Sequence, residues 1–293
     1  MSDKYVVSKS LLDNLNDTIS ERTGDTKRRT ISDMVTDVST LSPEPEPPAA
    51  KPGWTSYPDG VSLGNTITAS QLEEIRNGTF QGLGIGDYWR ITDSQSSTSY
   101  TIKIVDFDYY YGKGQNNVGD AHDTHHVVAV LVWDYEVYMM NLDSSTGDCM
   151  IYTDSDLLAT GLDSVRNTVT RLVGQSNLLR MKKRLTGRNS TSGSYEDTVW
   201  IPCANNIYGY SYEMYDQVLG GENPDDTMPF EAFATNGDMR NGAVKPSSYF
   251  GNIWLTNFDL QYNNSWITGS GGIIYTNPTQ ETAEILVAFL IKG

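Results

Sequence analysis

The chain has 293 residues and a formal net charge of −16. That length suits one large domain or two modest ones, and the acidity argues against nucleic acid as a main partner, because phosphate binding needs a basic footprint. No apolar run approaches the roughly 20 residues that span a bilayer, and the start MSDKYVVSKS lacks the apolar stretch of a secretion signal. Synthesis in a cytoplasm and no membrane insertion are therefore expected. Cys149 and Cys203 are too few for a disulfide framework, and no CxxC pair suggests zinc.

The chain reads as three segments. In SKSLLDNLNDTISERTG the residues Leu11, Leu12, Leu15 and Ile19 share one helical face, and Gly24 suits the stop. In TISDMVTDVSTL a second stripe of Ile31, Met34, Val35, Val38 and Leu41 follows a Thr30 cap. Residues 1–41 thus predict a helical hairpin too small to bury much core alone. It is read as an oligomerisation or anchoring module, with a small cap on the main domain as the alternative. A homo-oligomer, a trimer by preference, is expected from it. Residues 42–53, SPEPEPPAAKPG, hold five prolines in twelve positions and predict a semi-rigid extended linker.

From Trp54 to Gly293 the pattern is that of one α+β domain with mainly antiparallel strands. TASQLEEIRNG predicts a short helix with a Thr68/Gln71 capping box and Gly78 as its stop. GDYWRIT and SYTIKIVDFDYYY alternate as strands do, and HHVVAVLVWD is a continuous apolar run suited to a central strand. Leu157, Leu158, Val165, Val169, Leu172 and Val173 predict helical character from about Asp154 to Arg184. GNIWLTNFDLQY, SWITGSGGIIYT and AEILVAFLIKG are strands again. No internal repeat is visible.

All three histidines stand in DAHDTHH, Asp120 to His126. Imidazoles and carboxylates are good metal ligands, but His125 and His126 enter a strand and point to opposite faces. No distant histidine completes a site, and no Ser or Cys elbow waits to be activated. A structural role is expected, in which the rings and Asp120 or Asp123 hold the loop. No metal, no cofactor and no catalytic residue are assigned. GLGIGDYW fails as a phosphate loop because it lacks the lysine and its glycines are misspaced.

Two further stretches stay open. Arg166, Arg171, Arg180, Lys182, Lys183, Arg184 and Arg188 form a basic cluster, read either as a patch for an acidic neighbour or as internal ion pairs. In YFGNIWLTNFDLQYNNSWITGSGG, Trp254, Phe258, Tyr262 and Trp266 interleave with polar residues. That suits a binding rim or an ordinary hairpin whose aromatics are all core.

KSLLDNLNDTISERTGDTKRRTISDMVTDVSTL resembles a small N-terminal helical module of structural proteins in phages that infect Gram-positive bacteria. That pattern is a leucine-rich helix, an R-x-K-T-G turn and T-x-x-x-M-x-x-x-V; here the turn is Arg22-Thr23-Gly24 without the lysine. LEEIRNGTFQGLGIGDYW, THHVV, WIP…NIYG, NIWL and the terminal AFLI are similar to a phage virion domain of unassigned activity. Its terminal Arg-Pro is replaced by Leu286-Val287, and the arginine after WL by Thr256.

The resemblance implies a C-type-lectin-like fold whose last strands and their loop form a recognition face. Thr256, Asn257, Asp259, Gln261, Tyr262, Asn263 and Asn264 then become ligand-contact candidates. It implies a non-enzymatic virion-surface fibre or receptor-binding protein. Its partners would be other virion proteins, through the N-terminal module, and a host cell-surface glycan or protein. A capsid or tail decoration protein without a receptor is the alternative. A glycan depolymerase comes third, since glycoside hydrolysis needs two facing carboxylates.

Overall fold

The computed structural model describes residues 60–132, 137–139, 151–186, 192–208, 229–234, 254–258, 265–269, 272–276 and 282–293. The anchoring residues Leu11, Leu12, Leu15, Ile19, Ile31, Met34, Val35 and Val38 lie outside them, as does the proline-rich segment. All the described residues fall within residues 50–293.

The architecture is α+β and its sheets are mostly antiparallel. In chain order come β1 (Ser62–Gly64), α1 (Ala69–Arg76), β2 (Tyr88–Thr92), β3 (Ser99–Phe107), α2 (Gln115–Val118) and β4 (His126–Val132). Next are β5 (Val137–Met139), α3 (Asp163–Val173), β6 (Leu178–Leu179), β7 (Met181–Thr186), β8 (Ser192–Asp197), β9 (Val199–Trp200), α4 (Ala204–Tyr208) and α5 (Glu231–Ala234). The last are β10 (Trp254–Phe258), β11 (Ser265–Gly269), β12 (Gly272–Thr276), β13 (Thr282–Glu284) and β14 (Val287–Lys292).

The principal sheet runs β1-β2-β3-β4-β14-β6, with β9 also on β14. Only β1 joins its neighbour in parallel. β4 and β14 are apolar throughout their centres because both of their faces are covered. Val127 to Leu131 and Val287 to Ile291 are buried along the whole pairing. β10, β11 and β12 form a separate antiparallel sheet, while β13 pairs β5 and β7 pairs β8.

Trp89, Trp200, Trp254, Tyr110, Phe230 and Phe289 are fully buried and anchor the core. Each aromatic removes about 150–250 Å² from water, so each carries several kcal/mol at roughly 25 cal/mol per Å².

Helix α1 forms as its sequence dictates. Thr68 accepts from the Gln71 amide, and the Gln71 side chain accepts from the Thr68 amide. The same Gln71 oxygen accepts from Trp89 Nε1 at 3.0 Å, tying the helix to β2. Gly78, just past the helix, has φ +62°, the left-handed stop that glycine adopts without penalty.

The expected helix over Asp154–Arg184 is shorter than its apolar spacing predicts. A π-helical turn covers Leu157–Gly161, α3 covers Asp163–Val173, and Gly174 at φ +89° ends it. Beyond that glycine the chain becomes β6 and β7. In β7 the inward residues are Met181, Lys183 and Leu185. A lysine on the buried side disguised a period of two. The Lys183 ammonium donates to the Tyr110 hydroxyl at 2.8 Å and lies over the Tyr110 and Trp200 rings.

Candidate functional site

The histidine stretch closes the connection from β3 to β4. At its start Asp108 adopts φ +51°, a conformation that Asp tolerates better than most residues. There its carboxylate turns back on the strand entry. Oδ1 accepts from the His126 amide at 2.8 Å, and Oδ2 accepts from His125 Nδ1 at 2.7 Å. The Asp108 amide in turn donates to the His126 carbonyl at 2.9 Å. The carboxylate that braces the loop is therefore Asp108, not Asp120 or Asp123. Among the described residues Asp123 accepts only from the neighbouring Thr124 hydroxyl, at 3.4 Å.

Each imidazole has a different task. His126 is fully buried, donates from Nδ1 to the Thr124 carbonyl at 2.7 Å and accepts at Nε2 from the Tyr110 amide at 3.3 Å. That pattern puts the proton on Nδ1 and keeps the ring neutral. Burial pushes its pKa below the ordinary histidine range, because a charged ring there would lose its water. His122 donates from Nδ1 to the Lys113 carbonyl. His125 stacks on Tyr111 with centroids 4.3 Å apart and planes 9° apart. A Cβ on Gly78 would lie 2.6–2.8 Å from three atoms of the His125 ring. Glycine is thus required there for the ring to lie on the backbone.

Next to this loop the β3–β4 register shifts between Ile104 and Asp106, and the bulge turns Asp106 inward. Asp106 is buried and accepts from the Phe107 amide at 2.7 Å and the Glu231 amide at 2.9 Å. Loss of water outweighs both bonds, and its pKa is raised to about 7. Burial also raises Glu231 above the usual carboxylate range.

Arg166, Arg171 and Lys183 of the basic cluster are tied into the fold, while Arg180 and Arg184 stay exposed. Arg171 grips Asp93 through two bonds of 3.0 and 2.8 Å and holds that carboxyl well below the usual range. Arg166 pairs with Asp197 and Asp163, Arg184 donates to Asn117 and Arg180 faces Glu196. These contacts match the internal-pairing reading. Arg188 lies outside the described residues.

Of the ligand-contact candidates, the structure describes only two. Thr256 is 6% exposed, and its amide donates to the Pro202 carbonyl at 3.3 Å. The resemblance places it on an exposed rim, and in the structure it is interior. Trp254, Leu255 and Thr256 are buried in succession, so this part of β10 is covered on both faces. Asn257 lies in β10, paired with β11. Asp259, Gln261, Tyr262, Asn263 and Asn264 lie outside the described residues.

Asp108 and Tyr111 are the residues that sequence reading misses, and it reads Gly78 only as a helix stop, not as the floor under His125. The one local signal is an aspartate between β3 and three tyrosines, before the glycine of DYYYG, and it does not show that the carboxylate turns back on His125. Among the described residues, no group of three or more His, Cys, Asp and Glu side chains could hold a metal ion. No described helix is long and apolar enough to cross a membrane.

What the fold and site define is an α+β domain whose histidine-rich loop is internally braced and carries one open aromatic edge. No family model, curated protein or solved structure matches the chain.

Proposed function

We propose that the chain is a non-enzymatic virion-surface protein, a fibre or receptor-binding component, of a phage that infects Gram-positive bacteria. Residues 1–41 anchor it and assemble it as a trimer, residues 42–53 space it from the particle, and residues 54–293 form a C-type-lectin-like head. The observation that supports this reading most is the use made of the virion-domain motifs. Trp89 of GDYW, His126 of THHVV, Trp200 of WIP and Phe289 of AFLI are all fully buried. Their strands β2, β4, β9 and β14 belong to one sheet. Residues that mark the resemblance thus build the scaffold, which leaves contacts to loops and hairpin ends.

Antibodies raised to residues 54–293 test the proposal on intact particles. They should label a projecting structure and block adsorption to host cells. Labelling without any effect on adsorption would favour the decoration protein, and particles without label would end the virion assignment.

A further inference from the structure

We propose that the Tyr111–His125 stack is a contact platform for a neutral sugar ring, placed on the β3–β4 loop rather than on the hairpin at residues 254–272. Among the described residues the exposed large apolar side chains are Val61 and Tyr111, and Tyr111 is 44% exposed. An exposed tyrosine alone is ordinary. This one is held on one ring face and at its backbone.

One face of its ring lies flat on His125. His125 in turn rests against Gly78 and is fixed by Asp108. The Tyr111 amide donates to the Asp108 carbonyl at 2.9 Å, and the next amide, of Gly112, donates to the His122 carbonyl at 2.7 Å. Little rotamer freedom is left for a ligand to freeze, and such preorganisation favours binding. His125 covers one ring face, and Tyr111 remains 44% exposed. His125 Nε2 has no partner among the described residues and gives the platform a polar group at its side.

The surroundings select the ligand. Lys113, 3.6 Å over the neighbouring Tyr109 ring, and the carboxylates of Asp108, Asp120 and Asp123 put both signs of charge on this loop, so neither a cation nor an anion meets a uniform field. A neutral pyranose needs no such field: its C–H face covers the ring face away from His125, and its hydroxyls suit the phenol and the imidazole nitrogen. The inference rests on the proposal that the head attaches to a cell surface.

The test titrates the full-length chain with soluble oligomers of glucose, galactose and N-acetylglucosamine, observed by saturation-transfer NMR, and measures its binding to intact Gram-positive cells. Tyr111→Phe should bind a responding oligomer within about threefold of the parent, while Tyr111→Ala should weaken it at least about tenfold, as loss of a stacking partner does. Gly78→Ala, which displaces the imidazole, should weaken it as well, and thermal melting of each variant separates this from unfolding. Undiminished binding by a folded Tyr111→Ala chain overturns the platform. Binding to cells but to none of the oligomers also overturns it and leaves the attachment proposal standing. Binding to neither removes both.

Discussion

The β3–β4 loop and strand β10 both interleave aromatic with polar residues, yet they bury opposite parts of the pattern. In the loop Tyr110 is fully buried, as is His126 where β4 begins, while Tyr111 remains 44% exposed. In β10 the tryptophan, the leucine and the threonine of WLT are all interior. Alternation therefore means different things in the two places. A loop braced by side-chain bonds can turn one ring in and the next one out. A strand covered on both faces has no outer side to offer, and a polar residue in it must be packed rather than presented.

The largest expected effect lies in β10. Trp254→Ala should cost roughly 3–5 kcal/mol, as removal of a buried aromatic does, read as the shift of a denaturant midpoint at constant slope. A loss below about 1 kcal/mol would return this strand to the surface and erase the contrast with the loop.

The second effect sharpens the loop side through pH. Asp106 has a folded pKa of about 7 against an ordinary 3.8. The folded state thus holds its proton more tightly, and the resulting stability is full below the ordinary value and fades as pH rises through 7. The group should contribute about 4 kcal/mol less at pH 8 than at pH 4, at about 1.4 kcal/mol for each tenfold change in proton affinity. Asp93 acts with the opposite sign. Its lowered pKa stabilises the fold above the ordinary carboxylate range and is lost only in stronger acid. Urea titrations across this range should show the fall, and Asp106→Asn should flatten it. A slope that survives in Asp106→Asn would assign the dependence to another group.

A smaller effect separates packing from presentation at one residue. Thr256→Ala should cost about 1–2 kcal/mol because the site is buried. An exposed rim position would lose less than about 0.5 kcal/mol, so thermal melting of this single variant decides between the two.

Much of the scaffold was legible because its signals are local. The Thr68/Gln71 box, the Gly78 stop and the apolar runs of β4 and β14 each follow from a few neighbouring residues. The strands β6 and β7 were not legible. Their inward lysine is stabilised by Tyr110 and Trp200, which are distant in sequence and become neighbours only through folding. The site was half legible for the same reason. DAHDTHH announces a structured loop, but its brace is Asp108, 17 residues before His125. Nothing in periodicity shows that this aspartate turns back. The burial of Thr256 likewise depends on what covers β10, and a single strand's pattern does not record its second cover.

The central claim is that the histidine stretch builds the fold, while the exposed Tyr111 ring beside it contributes little to stability. Equilibrium denaturation of His126→Ala beside Tyr111→Ala tests it most directly. His126→Ala leaves the Tyr110 amide and the Thr124 carbonyl without their partner and should cost about 1–3 kcal/mol. Tyr111→Ala gives up only an exposed stack and should stay within about 1 kcal/mol of the parent. The reverse order, with Tyr111→Ala the more damaging change, would contradict the account.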